Sequence, residues 1–270
     1  MPEVAFSGQI KQRIAGNFSR AASTYDQAAR LQRRVANRLM TALPKHHLVN
    51  TVLDLGSGTG TPSYELAQRY PDAMVTGMDL AMGMLQFARQ QSCDQTSLNW
   101  CSGDIEALPF KSDCFDLVFS SLAIQWCHLE QVLQEVSRVL KPGGQFVFST
   151  LANGSLRELD AAWMGVAQSN RVNQFDSVER QHRTVMEGAL ETLTFSHQAE
   201  TLYYPNLISL LKELKALGVN TVLAGHQGLM TRTRLQGLQQ AYERYRVIDG
   251  LPLTYQVIYG VLQKTHPGGC

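Results

Sequence analysis

Cysteine is scarce in this 270-residue chain. The five present (Cys93, Cys101, Cys114, Cys127 and Cys270) are odd in number and form no CxxC pair or zinc-finger spacing. That argues against structural zinc and fits a reducing, cytoplasmic setting. Long apolar runs are missing too. No stretch approaches ~20 apolar residues, and no signal-peptide core follows Met1, so no segment is expected to span a membrane. Net charge is nearly absent at +1, which gives no sign of a nucleic-acid binder. There is no low-complexity run and no internal repeat. An apolar fraction of 44% is that of an ordinary globular protein, and the length suits one elaborated domain or two small ones.

What charge there is lies unevenly. Before residue 51 stand Lys11, Arg13, Arg20, Arg30, Arg33, Arg34, Arg38 and Lys45 against only Glu3 and Asp26. Such a run serves either as a surface for an acidic partner or as a solvated helix face. Ile10, Ile14, Phe18, Ala21 and Ala22, then Leu31, Val35 and Leu39, recur at helical spacing up to Pro44, predicting helices over the first 45 residues. His46 and His47 read as polar loop residues, because adjacent side chains diverge too far to share a metal.

From residue 51 the pattern alternates. Strands are predicted over 51–55, 73–79, 98–101, 116–120 and 145–150, with helices over 62–70, 82–91 and 130–140. Each crossover must cover a sheet face, so this alternation predicts an α/β, doubly wound, mostly parallel sheet. Further on, helices are expected over 156–168, 178–189, 207–217 and 234–246, and strands over 193–204 and 253–263. The stretch 205–250 is too long and too helical for a plain loop and reads as an insertion over the active-site edge.

The first strand runs into Asp54-Leu55-Gly56-Ser57-Gly58-Thr59-Gly60. Glycines there permit positive φ and close approach of a ligand to the backbone. The G-x-G-x-G spacing differs from the dinucleotide fingerprint, and a glycine-rich turn alone is weak evidence. Its context adds to it. Asp79 ends the second strand, 19 residues after Gly60, where a carboxylate can accept both ribose hydroxyls. Gly103, Asp104 and Ile105 follow the third strand, where an acid can accept from an adenine amino group while Ile105 packs on the ring. Ser120, Ser121 and Ala123 end the fourth, beside the point where strand order would reverse.

Over about residues 48–151 this constellation resembles the class I S-adenosylmethionine-dependent methyltransferases. Their acid-G-x-G-x-G loop is matched by Asp54, Gly56, Gly58 and Gly60, with Ser57 inside it. Their ribose acid is matched by Asp79, followed by Leu80 and an apolar Met84, and their adenine contact by Asp104 and Ile105. Phe115-Asp116-Leu117-Val118 and Lys141-Pro142-Gly143-Gly144 match two further segments. The resemblance implies a Rossmann-like fold with a seven-stranded sheet, antiparallel at its last strand, and extra helices at the N-terminus and in the C-terminal half. It implies S-adenosylmethionine as cofactor, with residues 1–45 capping its site and 46–270 forming the methyltransferase domain. Ser120 joins the cofactor set, and Tyr25 either closes over the cofactor or packs in the core.

Flanking segments resemble the malonyl-[acyl-carrier protein] O-methyltransferase family. They include Phe18-Ser19-Arg20-Ala21-Ala22, Ile124-Gln125-Trp126-Cys127 and Pro252-Leu253-Thr254-Tyr255. That implies methylation of the free carboxyl of a malonyl thioester on acyl-carrier protein, in biotin synthesis. A carboxylate is already ionised near pH 7, its pKa being ~4, so no general base is expected and no catalytic residue is assigned. Gln125, Trp126 and Arg157 are candidates to hold the substrate; packing and solvent exposure are the plainer roles. Arg30, Arg33, Arg34 and Arg38 are candidates to steer an acidic carrier, with Lys212, Lys215, Arg232 and Arg234 competing. A small-molecule or quinone-pathway acceptor and a non-catalytic cofactor-binding module remain alternatives. Nucleic-acid methylation ranks below both, since no N/D-P-P-Y/F tetrapeptide is present.

Overall fold

The computed structural model describes residues 8–45, 49–91, 98–167, 175–219 and 231–266. His46, His47, Cys93 and Cys270 lie outside them, as do residues 220–230 of the expected insertion. Two helices come first, α1 (Gly8–Ala28) and α2 (Arg30–Met40). In α2 the buried residues Leu31, Val35, Ala36 and Leu39 form one stripe, because a repeat near four residues returns each side chain to the same face.

The central region alternates as its hydrophobic pattern predicts: β1 (Thr51–Leu55), α3 (Thr61–Arg69), β2 (Met74–Asp79), α4 (Met82–Gln91), β3 (Leu98–Ser102), β4 (Phe115–Ser121), α5 (Leu129–Val139) and β5 (Leu140–Ala152). Then follow α6 (Arg157–Ala167), α7 (Val178–Met186), β6 (Glu191–Tyr204), α8 (Leu207–Ala216), a helix here called α9 (Arg232–Glu243), and β7 (Leu251–Gln263). Three late helices start at side-chain caps. Ser177, Asn206 and Thr231 accept from the backbone N–H groups of Arg180, Ser209 and Arg234, satisfying donors the first helical turn leaves open.

The seven strands form one sheet in the order β3-β2-β1-β4-β5-β7-β6. Pairing is parallel from β3 through β5, and β7 runs antiparallel to both its neighbours. Consecutive residues of the inner strands enter different cores. Val52, Leu117, Phe119 and Val147 pack on one side with Leu31, Leu66 and Trp163. Leu53, Val118, Phe146 and Phe148 pack on the other with Val132, Val136 and Val185. Burial on both faces explains why these strands read as nearly continuous apolar runs.

The start of β5 differs most from the sequence expectation. The Lys141-Pro142-Gly143-Gly144 turn lies within β5, which begins at Leu140. Leu140 pairs with Phe115, the register then shifts, and Gln145 pairs with Leu117. Gly143, at φ +81°, donates to Lys264 O while Lys264 donates to Gly144 O, so the excursion is a bulge held by the end of β7.

The described residues of 205–250 supply α8 and α9. α8 packs on α1 and β6, and α9 packs on α6. Ala28, Ala29 and Leu217 form the small apolar contact between the N-terminal helices and the end of α8.

Candidate functional site

β1 has β2 on one side and β4 on the other, so connections leave its carboxyl end in opposite directions and open a crevice. A cleft sits there, with about 770 Å³ of empty space including its open mouth. Its floor carries Gly56, Gly58 and Asp79; one side carries Asp104, Ile105, Ser121, Leu122 and Ala123; α1 contributes Lys11, Ile14, Ala15, Phe18 and Tyr25.

The glycine loop is pinned to the end of β2. Gly56 and Ser57 donate their N–H groups to Met78 O at 2.8 and 3.0 Å, and Gly58 N–H donates to Asp79 Oδ2 at 2.9 Å. Asp79 Oδ1 accepts from Ala81 N–H at 2.7 Å. Gly56 has φ +72°, and a Cβ on it would overlap that of Ala123. Gly58 also has positive φ, but a Cβ there would meet nothing within 4 Å. At Gly56 the chain needs glycine for packing; at Gly58 it leaves room above the backbone.

Burial pushes the Asp79 carboxyl upward, opposed by the N–H groups of Ala81, Gly58 and Leu80. Asp54 lies beneath the loop at 1% exposure and accepts from Ser63 Oγ. Burial pushes its pKa up to about 7, with the Ser63 hydroxyl opposing and the Asp79 charge adding to the rise. Its proton is bound more tightly in the folded chain than in the unfolded one. This group therefore favours folding fully below the unfolded value of ~3.9 and loses that contribution as pH rises toward about 7. Asp54→Asn removes the titration, so its melting temperature relative to the parent should rise between pH 5 and pH 8. A constant difference across that range in thermal melts would count against it.

Of the residues singled out from sequence, Tyr25, Gly56, Gly58, Asp79, Leu80, Met84, Asp104, Ile105 and Trp126 line the cleft together. Tyr25 is held well above the usual phenol range by burial and by the Asp79 and Asp26 charges. Trp126 sits edge-on to Phe18, ring centroids 5.9 Å apart. Asp54, Ser57, Gly60, Gly103 and Ser120 belong to the supporting layer, where Gly60 opens α3 in the left-handed conformation and Ser120 Oγ donates to Leu55 O at 2.9 Å.

Gln125 donates its side-chain N–H to Leu122 O. Arg157 lies off the cleft, 63% exposed and 3.2 Å from Glu158. The α2 arginines have partners within the chain. Arg30 pairs with Glu213 and Arg34 with Glu200, Arg38 bonds Gln198, and Arg33 bonds Asp26 O. No described residue of 205–250 lines the cleft.

Sequence pattern places Lys11 only in the basic N-terminal run and gives Leu122 no role of its own, yet both line the cleft. Lys11 pairs with Asp104, 93 residues away, at 2.6 Å, and with Glu106; no local spacing announces such a contact. Leu122 has φ +50°, and its N–H donates to Ser149 O and Oγ. A leucine held in the left-handed region stores strain at the cleft edge, and only the geometry reveals it. Asp116, matched to a family segment, serves the far end of the sheet. It accepts from Asn50 N–H, Thr51 N–H, Thr51 Oγ1 and Lys141 Nζ, binding β4 to the start of β1.

Residues 53–148 match the methyltransferase domain family profile. A malonyl-[acyl-carrier protein] O-methyltransferase of Yersinia pestis is 41% identical over 260 residues, covering 94% of this chain and 92% of that protein. This chain belongs to the malonyl-[acyl-carrier protein] O-methyltransferase family. The biotin biosynthesis bifunctional protein BioHC of Cellvibrio japonicus is 44% identical over 256 residues, 94% of this chain and 50% of that protein. A second BioHC, from Teredinibacter turnerae, is 39% identical and covered to 47%. The chain thus spans about half the length of these two relatives.

Among solved structures, YcgJ of Bacillus subtilis superposes with a TM-score of 0.58 at 16% identity, covering 86% of this chain and 98% of that one. The geranyl diphosphate C-methyltransferase of Streptomyces coelicolor, solved with S-adenosyl-L-homocysteine, gives 0.55 at 16% identity, covering 87% and 80%. At such identities the likeness is one of fold.

Proposed function

We propose that this member of the family transfers the methyl group of S-adenosylmethionine to the free carboxylate of a malonyl thioester on acyl-carrier protein, giving the methyl ester used in biotin synthesis. The observation that carries this reading is the 41% identity to the Yersinia pestis enzyme across nearly the whole of both chains, including the helices outside the cofactor domain. The cleft fits the cofactor chemically. A half-buried carboxylate, Asp79, lies beside a glycine with open space above it, and an acid with an adjacent apolar side chain follows the next strand.

When bound, S-adenosylmethionine supplies an electrophilic methyl group on sulfonium sulfur. Asp79 would accept the ribose hydroxyls, and Asp104 the adenine amino group, with Leu80 and Ile105 against the ring. Met84 and the Gly56–Gly58 backbone would hold the remainder. Asp54, Ser57, Gly60, Gly103 and Ser120 keep the loop and strand ends in shape. Tyr25, Phe18 and Trp126 exclude water from the acceptor side, where a desolvated carboxylate is the better nucleophile. The acceptor arrives ionised, so alignment with the methyl group is the main task, and well-oriented reactants gain roughly 7–11 kcal/mol this way. Of the three substrate candidates Trp126 lines that approach, while the Gln125 amide is bonded to Leu122 O and Arg157 lies outside the cleft beside Glu158. The α2 arginines stay open enough to meet an acidic carrier, with Arg30 and Arg34 side chains 41% and 53% exposed.

The decisive assay offers labelled S-adenosylmethionine with malonyl-acyl-carrier protein, malonyl-coenzyme A or free malonate. Methyl ester should form on the carrier-bound group in clear preference to the other two. Cofactor binding without transfer to any of the three would reject the carboxyl acceptor and leave a small-molecule acceptor or a binding module.

A further inference from the structure

Helix α1 forms one wall of the cleft and the strand ends form the other. A ligand lying between them can enter or leave only through the open mouth or by movement of α1. The attachments of α1 differ along its length. Toward its C-terminal end, Thr59 Oγ1 donates to Asp26 Oδ1 at 2.6 Å and Thr24 Oγ1 donates to Ala216 O at 3.1 Å. In its middle, Ser19 Oγ accepts from Gly83 N–H at 3.1 Å, and a Cβ on Gly83 would fall within 2.7 Å of Ser19 Cβ. This part of α1 is locked onto α4 by close backbone packing.

Its N-terminal end is held differently. Lys11 reaches across the cleft to both Asp104 and Glu106, and its side chain is only 13% exposed. Asp104 Oδ1 accepts from Glu106 N–H at 3.0 Å while Oδ2 accepts from Lys11. Glu106 is bound in turn by His128, through the backbone N–H and through Nδ1 at 2.8 Å. Two carboxylates so close would repel each other if no cation lay between them. Burial lowers the affinity of Lys11 for its proton, but its bonds to Asp104 and Glu106 outweigh this and hold it above the ordinary lysine value. The ammonium therefore stays charged through the neutral range.

From this geometry we infer that Lys11 is a positioning residue for the cofactor: it fastens the N-terminal end of α1 across the cleft through Asp104 and Glu106, and of the two routes the cofactor exchanges by movement of α1 as this ion cluster opens. The inference rests on the cofactor reading above and is independent of the acceptor. The same bond sets the Asp104 carboxylate, leaving its remaining lone pairs to meet a ligand. A loosened α1 would let ligand escape while the locked segment still carried Phe18 and Tyr25, so the effect falls on binding before turnover.

The test follows release of S-adenosylhomocysteine by stopped-flow fluorescence, with Trp126, which lines the cleft, reporting departure of the ligand. Lys11→Met and Glu106→Gln should each speed release about tenfold, and their combination should add little more. Lys11→Arg, which keeps the charge, should stay close to the parent. Added salt should accelerate release from the parent and leave Lys11→Met unaffected. In turnover, KM for S-adenosylmethionine should rise about tenfold in Lys11→Met with kcat unchanged. If Lys11→Met does not fold, Glu106→Gln carries the same expectation. Parent-like release from the folded charge-neutral variants overturns this inference alone, as does Lys11→Arg behaving like Lys11→Met. Failure of the parent to bind S-adenosylhomocysteine overturns the cofactor reading with it.

Discussion

Replacing Asp79 by Ala should weaken S-adenosylmethionine binding by about a hundredfold or more. The carboxylate stands at the cleft with one oxygen on Gly58 N–H and the other on Ala81 N–H, so it shapes the glycine loop and presents charge to a ligand. Hydrogen bonds to an ionised group contribute about 1.5–3 kcal/mol each, and two bonds to ribose hydroxyls would give ~3 kcal/mol or more. Each 1.4 kcal/mol is tenfold in affinity. Asp79→Asn retains one acceptor oxygen and should fall between the parent and Asp79→Ala. Titration calorimetry checks both, alongside a thermal melt to establish folding. Affinity unchanged in a folded Asp79→Ala variant would sink the ribose assignment.

The largest effect on stability is expected at Trp163→Ala. Trp163 on α6 is completely buried in the core that also holds Leu159, Leu238 and Tyr242, so it lies where α6 packs on α9. Truncating a buried tryptophan costs about 3–5 kcal/mol, because the cavity refills only in part. For a chain of this size each kcal/mol moves the melting temperature by roughly 2–4 °C, giving a fall of about 10 °C. None of these residues lines the cleft, so cofactor affinity measured well below the melt should be kept. A shift under about 2 °C would mean that the α6–α9 layer does not unfold with the sheet. Lost affinity with the melt preserved would instead tie this layer to the cleft.

The sheet was legible because its inner strands are apolar on both faces and each is followed by a glycine turn or an amphipathic helix. The predicted helix over 82–91 has the observed bounds of α4, and the strand positions in the sheet agree within a few residues outside the β5 bulge. That bulge was hidden because Pro142 and the paired glycines read as a plain turn; only the pairing of Leu140 with Phe115 reveals the strand beginning earlier. The cofactor side of the cleft was legible for a related reason. Ligand-facing residues in this topology follow strand ends, so a sequence divided into strands marks Gly56, Gly58, Asp79, Asp104 and Ile105 as neighbours. Lys11 belongs to no such series, since its place depends on how α1 folds back over a loop nearly a hundred residues later. The α2 arginines illustrate a further limit. A basic run shows a charged helix face, while Glu200 and Glu213, which pair with that face, come from β6 and a helix far along the chain.

The position of β7 bears on how the protein is made. It follows β6 in the chain yet lies between β5 and β6. Translation delivers the chain from its N-terminus, so β5 has no partner on its outer side, and β6 none on the side facing it, until residues 251–263 have left the ribosome. The thirteen residues of β5 include Phe146, Val147 and Phe148, and an unpaired apolar edge of that kind recruits other strands. The last strand of the sheet to be synthesised is thus the one that closes it, and a nascent chain stalled before it carries an adhesive border.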